Sequence, residues 1–185
     1  MKLIDLMKET RSYRSYNEEM IVIEEMLLEI LAAAPLSSCG RNAQALKFLP
    51  IYKKEEVEAT LALTGWAGAL PERTFPPKGH HPSAFILICH DKEIQQGELI
   101  LGMDVGIVAQ NMALLAREKG LGTLMIANLK RNKIKELFHL EDQLEPILAL
   151  ALGEPDEVVK LVPYEGNTTY YRDEGESGDH GVEAD

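Results

Sequence analysis

The sequence predicts an α+β domain, and three observations carry that prediction. Segments with strand and helix patterning alternate without a regular βαβ spacing. No Gly-x-Gly-x-x-Gly fingerprint follows a strand, which sets aside a Rossmann dehydrogenase. Residues 98–119 form one long helix that is apolar nearly all round and must be covered on most sides. At 185 residues the chain suits a single domain with one sizeable core.

The elements follow in order. Leu3, Ile4, Leu6 and Met7 make the apolar stripe of a first helix. A second helix is expected over 18–33, capped by Asn17, with Met20, Ile23, Met26, Leu27, Ile30 and Leu31 toward the core. Pro35 ends it, and 36–45 is a polar loop. Residues 47–52 read as a strand and 53–63 as a charged helix. Residues 64–82, rich in Gly and Pro and holding Trp66, form a long excursion of the kind that is often functional. Trp66 either lines a substrate entrance or packs this loop. Residues 84–89 read as a buried strand. In the long helix, Gly102 and Gly106 lie one turn apart and Ala109 and Ala113 continue the spacing. Another helix backbone can approach such a stripe closely, so the helix is central or sits at a subunit interface. Gly120 stops it. Strand 121–126, helix 131–140 and strand 147–152 complete the body.

Charge is uneven. Residues 154–185 carry ten Asp/Glu against Lys160 and Arg172, a balance of −8 out of the chain's −11. The remaining 153 residues are near neutral at −3. An acidic chain without a basic stripe argues against nucleic acid as partner. No run reads as long and apolar enough to span a membrane, and no apolar leader follows Lys2. Cys39 and Cys89 make no disulfide framework, so a reducing cytoplasm is the expected compartment. His80, His81 and His90 have no partner at ligand spacing, and no metal site is expected. One domain is expected over 1–174, followed by an acidic, mobile tail over 175–185.

Three segments look chemical. Arg11-Ser12-Tyr13-Arg14-Ser15-Tyr16 places two guanidinium forks beside a hydroxyl, a donor set suited to phosphate or carboxylate. A solvated surface turn is the alternative. Asn42-x-Gln44 puts two side-chain amides in an irregular loop, where they can read a planar polar ring edge or cap the loop itself. Gly120-Leu121-Gly122 beside a strand lets a ligand come close to the backbone, or simply marks a helix stop. Asp104, inside the apolar helix, is expected to be a buried carboxylate capping a neighbour, since an unpaired one would be costly.

Taken together and in this order, these segments resemble the nitroreductase family of flavin enzymes. Arg11 to Tyr16 looks like the family's N-terminal flavin site. Ala34-Pro35 followed by Asn42-Ala43-Gln44-Ala45-Leu46-Lys47-Phe48 resembles its "Pro-Ser…Asn-x-Gln-Pro-Trp-x-Phe" segment. Asp104 through Gln110-Asn111 into Gly120-Leu121-Gly122-Thr123 resembles its central helix and following strand, and residues 149–155 its "ALGxP" strand end. Thr10 stands where many relatives have a basic residue, and Ala45-Leu46 replaces Pro-Trp.

The resemblance implies a three-layer fold with a central, mostly antiparallel sheet flanked by helices and a long central helix at a homodimer interface. It implies FMN as cofactor, NADH or NADPH as co-substrate, and an electron-poor acceptor such as a nitroaromatic or quinone. Arg11, Ser12 and Arg14 would hold the phosphate, ribityl chain and pyrimidine edge. Ser37 or Ser38, Asn42 and Gln44 would approach the same flavin, partly from the other subunit. The backbone at Met125 and Ile126 would lie by the ring, and Arg172 is a C-terminal cation for the phosphate. No side chain is assigned as a catalytic acid or base, because the flavin carries the chemistry. The family's basic C-terminal segment is replaced here by acid. That leaves open a flavin-binding or regulatory homodimer with reduced turnover, or a dimeric interaction protein without cofactor.

Overall fold

The computed structural model describes residues 1–68, 70, 72–164, 166, 168, 171–172 and 179–182, with Arg172 and 179–182 described by backbone alone. Helix α1 (Leu3–Glu9) buries none of its residues. It closes where the Thr10 hydroxyl and N–H both donate to the Leu6 carbonyl, at 2.7 and 3.0 Å. Strand β1 (Tyr16–Asn17) and helix α2 (Glu24–Leu31) follow. Next come β2 (Leu46–Ile51), α3 (Lys54–Leu61) and β3 (Ala84–Asp91). Then come α4 (Glu98–Glu118), β4 (Gly122–Ile126), α5 (Arg131–Leu137) and β5 (Leu144–Pro155).

The sheet runs β2–β3–β5–β4, and every neighbour is antiparallel. Strand β1 pairs with Glu154 and Pro155 of β5, just beyond the stretch that β4 occupies. Side chains alternate across a strand, and here both faces are covered. Ala84, Ile86 and Ile88 of β3 face a core shared with Leu27 and Ile30 of α2 and Val105, Val108 and Met112 of α4. Phe85, Leu87 and Cys89 face a second core with Val57 of α3 and Ile134 of α5. The result is three layers, α2/α4 over the sheet over α3/α5. It also explains why β3 reads as one unbroken apolar run rather than an alternating strand.

The second helix is shorter than expected. Asn17 lies in β1, and its Oδ1 accepts from the Glu19 N–H in a turn, at 3.0 Å. Tertiary bonds hold 18–22 out of the helix. The Met20 carbonyl accepts from Ser83 Oγ at 2.6 Å, and Glu18 accepts from the His81 N–H at 2.8 Å. Helix α4 also departs from expectation, since its length and composition alone would let it cross a membrane. In the fold it is a core helix that buries Asp104, Val105, Val108, Ala109, Met112, Ala113 and Ala116. Its small-residue stripe divides in two. Ala109 and Ala113 are buried, whereas a Cβ built at Gly102 or Gly106 meets nothing within 4 Å. Leu99, Met103 and Ile107 stand exposed beside those glycines.

Gly120 ends α4 with φ +84°, as the N–H groups of Gly120 and Leu121 donate to the carbonyls of Arg117 and Ala116. Past β5 a small second sheet joins β6 (Lys160–Val162), β7 (Tyr171–Arg172) and β8 (Asp179–Val182), with β8 parallel to β6 and antiparallel to β7. Of the acidic tail 175–185, the described residues are those of β8; the rest lie outside them.

Candidate functional site

Residues 11–16 form a strap along the sheet. Ser12 bridges Thr123 in parallel, and the Tyr13 N–H donates to the Thr123 carbonyl at 2.9 Å. Two tyrosines seat the strap on a cross-strand glycine pair, Gly122 of β4 opposite Gly153 of β5. A Cβ on Gly122 would stand 2.7 Å from both Tyr13 Cδ2 and Pro155 Cγ; one on Gly153 would stand 2.8 Å from Tyr16 Cδ1. Gly122 therefore admits a tyrosine ring of the same chain, not the ligand its sequence context suggested. Tyr13 donates to the Glu9 carbonyl at 2.9 Å, and the Arg117 guanidinium lies 5.8 Å from its ring centre. Tyr16 is fully buried, donates to the Tyr13 carbonyl at 2.7 Å, and meets Trp66 edge-on at 6.4 Å. Trp66 is thus loop packing. Burial pushes both phenols above their ordinary value, which leaves neither suited to proton transfer at neutral pH. Gly122→Ala is expected to lower stability by about 1–3 kcal/mol, as overpacking does. The fall in urea midpoint should come with faster amide exchange over residues 12–16.

Tyr13, Ser15 and Tyr16 are buried, Ser12 is exposed, and Arg11 and Arg14 are half-buried, with Arg14 Nε shielded from solvent. Arg11 donates from Nε to the Thr10 carbonyl at 2.7 Å and from Nη2 to the Met7 carbonyl at 2.8 Å, closing the C-terminal end of α1. Arg14 donates from Nη1 to the Ser12 carbonyl at 3.1 Å. Beneath the strap sits Glu157, 6% exposed, whose Oε1 accepts from the backbone N–H of Arg14 and, at 3.2 Å, of Ser15. The sequence reading missed Glu157, and no local pattern marks a partner 143 residues away. On neighbouring β4, Met125 is part-exposed and Ile126 is buried.

The second group of candidates lies on the loop between α2 and β2. It borders a cavity of about 330 Å³ with apolar walls from Leu31, Pro35, Phe48 and Val108 and a polar rim of Ser37, Ser38, Asn42 and Gln44. Neither Arg11 nor Arg14 lines this cavity, so one chain does not join the two groups there. The side chain of Arg172 lies outside the described residues. The loop backbone is unusual. Arg41, Asn42 and Gln44 all have positive φ, near 54°, 54° and 52°. For residues with a Cβ, each such conformation costs about 1–2 kcal/mol. Gln44 Nε2 donates to Asn42 Oδ1 at 3.1 Å. The Ser37 hydroxyl donates to the Ala33 carbonyl and accepts from Asn111 Nδ2, both at 2.8 Å. Among the described residues the Ser38 hydroxyl, Asn42 Nδ2 and Gln44 Oε1 make no hydrogen bond.

Asp104 stands behind the loop, and it is the capped, buried carboxylate expected from its place in an apolar helix. Its Oδ1 accepts from the Gly40 N–H at 2.9 Å, and its Oδ2 from Gln96 Nε2 at 2.6 Å and Cys39 Sγ at 3.3 Å. Burial alone would raise its pKa, but the bonds from Gly40, Gln96 and Cys39 outweigh it and hold the carboxyl below its ordinary value. A depressed carboxylate contributes stability above its unfolded pKa, about 3.9, and loses it as pH falls through the lower native value. The urea midpoint of the wild type should therefore exceed that of Asp104→Asn at pH 7, and the gap should close as pH drops below about 4. Burial pushes the Cys89 thiol up to about 12, leaving it unreactive at neutral pH.

The fold and these two polar groups define a class. The family model of the nitroreductase family matches residues 7–154, and the chain belongs to that family. It is similar to an NADPH-dependent oxidoreductase of Staphylococcus epidermidis, at 34% identity over 64 residues, 34% of this chain and 26% of that protein. It is also similar to the FMN reductase (NADPH) of Bacillus subtilis, at 24% identity over 78% of this chain. The chain spans only 62% of that relative's length. A Desulfovibrio desulfuricans protein solved in complex with FMN superimposes with a TM-score of 0.70 at 23% identity, covering 85% of this chain and 88% of that one.

Proposed function

We propose that the chain is an FMN-dependent, NAD(P)H-oxidising enzyme of the cytoplasm that works as a homodimer. When bound, FMN supplies the two-electron chemistry that links oxidation of NADH or NADPH to reduction of an electron-poor acceptor, such as a nitroaromatic or a quinone. The donor set fits that group. Arg11, Ser12 and Arg14 offer two cationic forks and a hydroxyl to the phosphate, the ribityl chain and the pyrimidine edge. Arg14 holds negative charge on that edge, an electrostatic role without proton transfer. Ser38, Asn42 and Gln44 of the partner offer the donors and acceptors that this chain leaves without hydrogen bonds. Ser37, already bonded on both sides, acts as a post for the loop. The backbone of Met125 and Ile126 approaches the ring from β4.

The observation that carries this reading is the separation of the two polar groups, together with the open apolar face of α4. A second copy seated on Leu99, Met103 and Ile107 covers that face and brings one chain's loop to the other's arginines. The names of the relatives support both the cofactor and the reductant. The test is a visible spectrum of the purified protein, before and after anaerobic addition of NADPH or NADH. A yellow protein that bleaches is expected. A yellow protein that does not bleach favours a flavin-binding dimer with reduced turnover. A colourless protein that takes up no added FMN overturns the flavin reading.

A further inference from the structure

We propose that Asp104 and Asn111 of α4 are positioning residues that hold the Ser37–Gln44 loop in the shape that presents its polar rim. The inference rests on the flavin reading above for its functional half, and on geometry alone for its structural half. The two residues are seven apart, which is two turns on one helix face. Both reach the same loop from that face. Asp104 takes the Gly40 N–H and the Cys39 thiol near the middle of the loop. Asn111 donates to Ser37 Oγ at its start, at 2.8 Å. Cys39 in turn accepts from the Gln44 N–H at 3.3 Å, so the pull of Asp104 extends to the loop's far end.

The loop needs such a clamp. Three of its non-glycine residues have left-handed backbone, and a chain segment keeps such geometry only when its surroundings over-determine it. The contact at Gly40 is close. A Cβ there would stand 2.3 Å from Ile100 Cγ2, so a larger residue would have to displace Ile100 or lift the loop backbone away from Asp104. Asp104 is 5% exposed, which places an ionised group inside an apolar helix where core packing alone would favour leucine or alanine. Among the described residues its acceptors go to the loop and to Gln96, and none goes to the sheet beneath.

The conservative variant has a specific expected behaviour. Among the described residues Gln96 Oε1 is buried and without a partner. In Asp104→Asn the Gln96 amide can turn over, so that Oε1 accepts from the new side-chain amide while the remaining oxygen keeps Gly40. Asp104→Asn should therefore preserve most of the loop, and Asp104→Ala should not.

The experiment compares wild type with Asp104→Ala, Asp104→Asn, Asn111→Ala and the core variant Ile88→Ala. Two readouts are taken on apo protein: amide exchange over residues 38–44, and FMN affinity from quenching of flavin fluorescence. Asp104→Ala is expected to speed loop exchange and weaken FMN binding at least tenfold. Asn111→Ala should do the same to a smaller extent, and Asp104→Asn should stay within about threefold of wild type. Ile88→Ala should lower the unfolding midpoint while leaving loop exchange and FMN affinity unchanged. Equal loss of FMN in Ile88→Ala would reduce the effect to general instability and overturn the proposal. So would unchanged loop exchange in Asp104→Ala, or in Asn111→Ala should the former not fold. Should the wild type bind no FMN, the flavin reading fails, and the loop-exchange comparison still decides the clamp.

Discussion

Met103→Glu is expected to turn the proposed homodimer into monomers and to cost it the flavin proposed to lie between them. Met103 is 52% exposed in the single chain, between Leu99 at 72% and Ile107 at 39%. In a two-fold interface the substituted carboxylate enters twice, once from each copy. Burying an unpaired charge costs several kcal/mol, and about 4 kcal/mol is roughly a thousandfold in the dimer constant. Core packing should be untouched, because the side chain points away from the sheet layer. Sedimentation velocity would read the association state, and the absorbance near 450 nm the flavin. A Met103→Glu protein that remains a dimer with full flavin would remove this face as the interface and leave the two polar groups unjoined.

Arg14→Ala carries the second large effect. A hydrogen bond to a charged group contributes about 1.5–3 kcal/mol, so losing the Arg14 fork should weaken FMN binding by roughly 10- to 150-fold. Arg11→Ala should also lower the stability of α1, because two Arg11 donors hold the Met7 and Thr10 carbonyls. Urea unfolding measured beside FMN titration separates the two variants. Unchanged FMN affinity and unchanged reduction by NADPH in Arg14→Ala would sink the electrostatic role given to this residue.

Much of the framework was legible because local pattern and tertiary burial agree. Strands β2, β3 and β4, helix α4 and the Gly120 stop lie within a residue or two of where the sequence puts them. Helix α2 was misjudged at its start, since Asn17 satisfies every local rule for an N-cap. What decides the matter is long-range: Glu18 and Met20 are bonded to His81 and Ser83, and β1 pairs with β5. Strand β5 runs 144–155 rather than 147–152, because Pro146 and Gly153 look like ends until β3 and β4 are laid beside them. At the site, the residue types and their loops were readable, and so was the oddity of Asp104. The seats for Tyr13 and Tyr16 and the carboxylate of Glu157 were not. Each depends on a partner more than 100 residues distant, and a lone glycine or glutamate carries no sign of what will pack on it.

The facing glycines of β4 and β5 have one more consequence. They act as two notches that seat rings three positions apart, which holds the strap to the sheet in one alignment. Sliding by a single residue would drive Arg14 or Ser12 into a notch cut for an aromatic ring. The aim of both arginines is thus indexed mechanically, and adding or deleting one residue between Tyr13 and Tyr16 would misdirect them while every charge in the chain stayed the same.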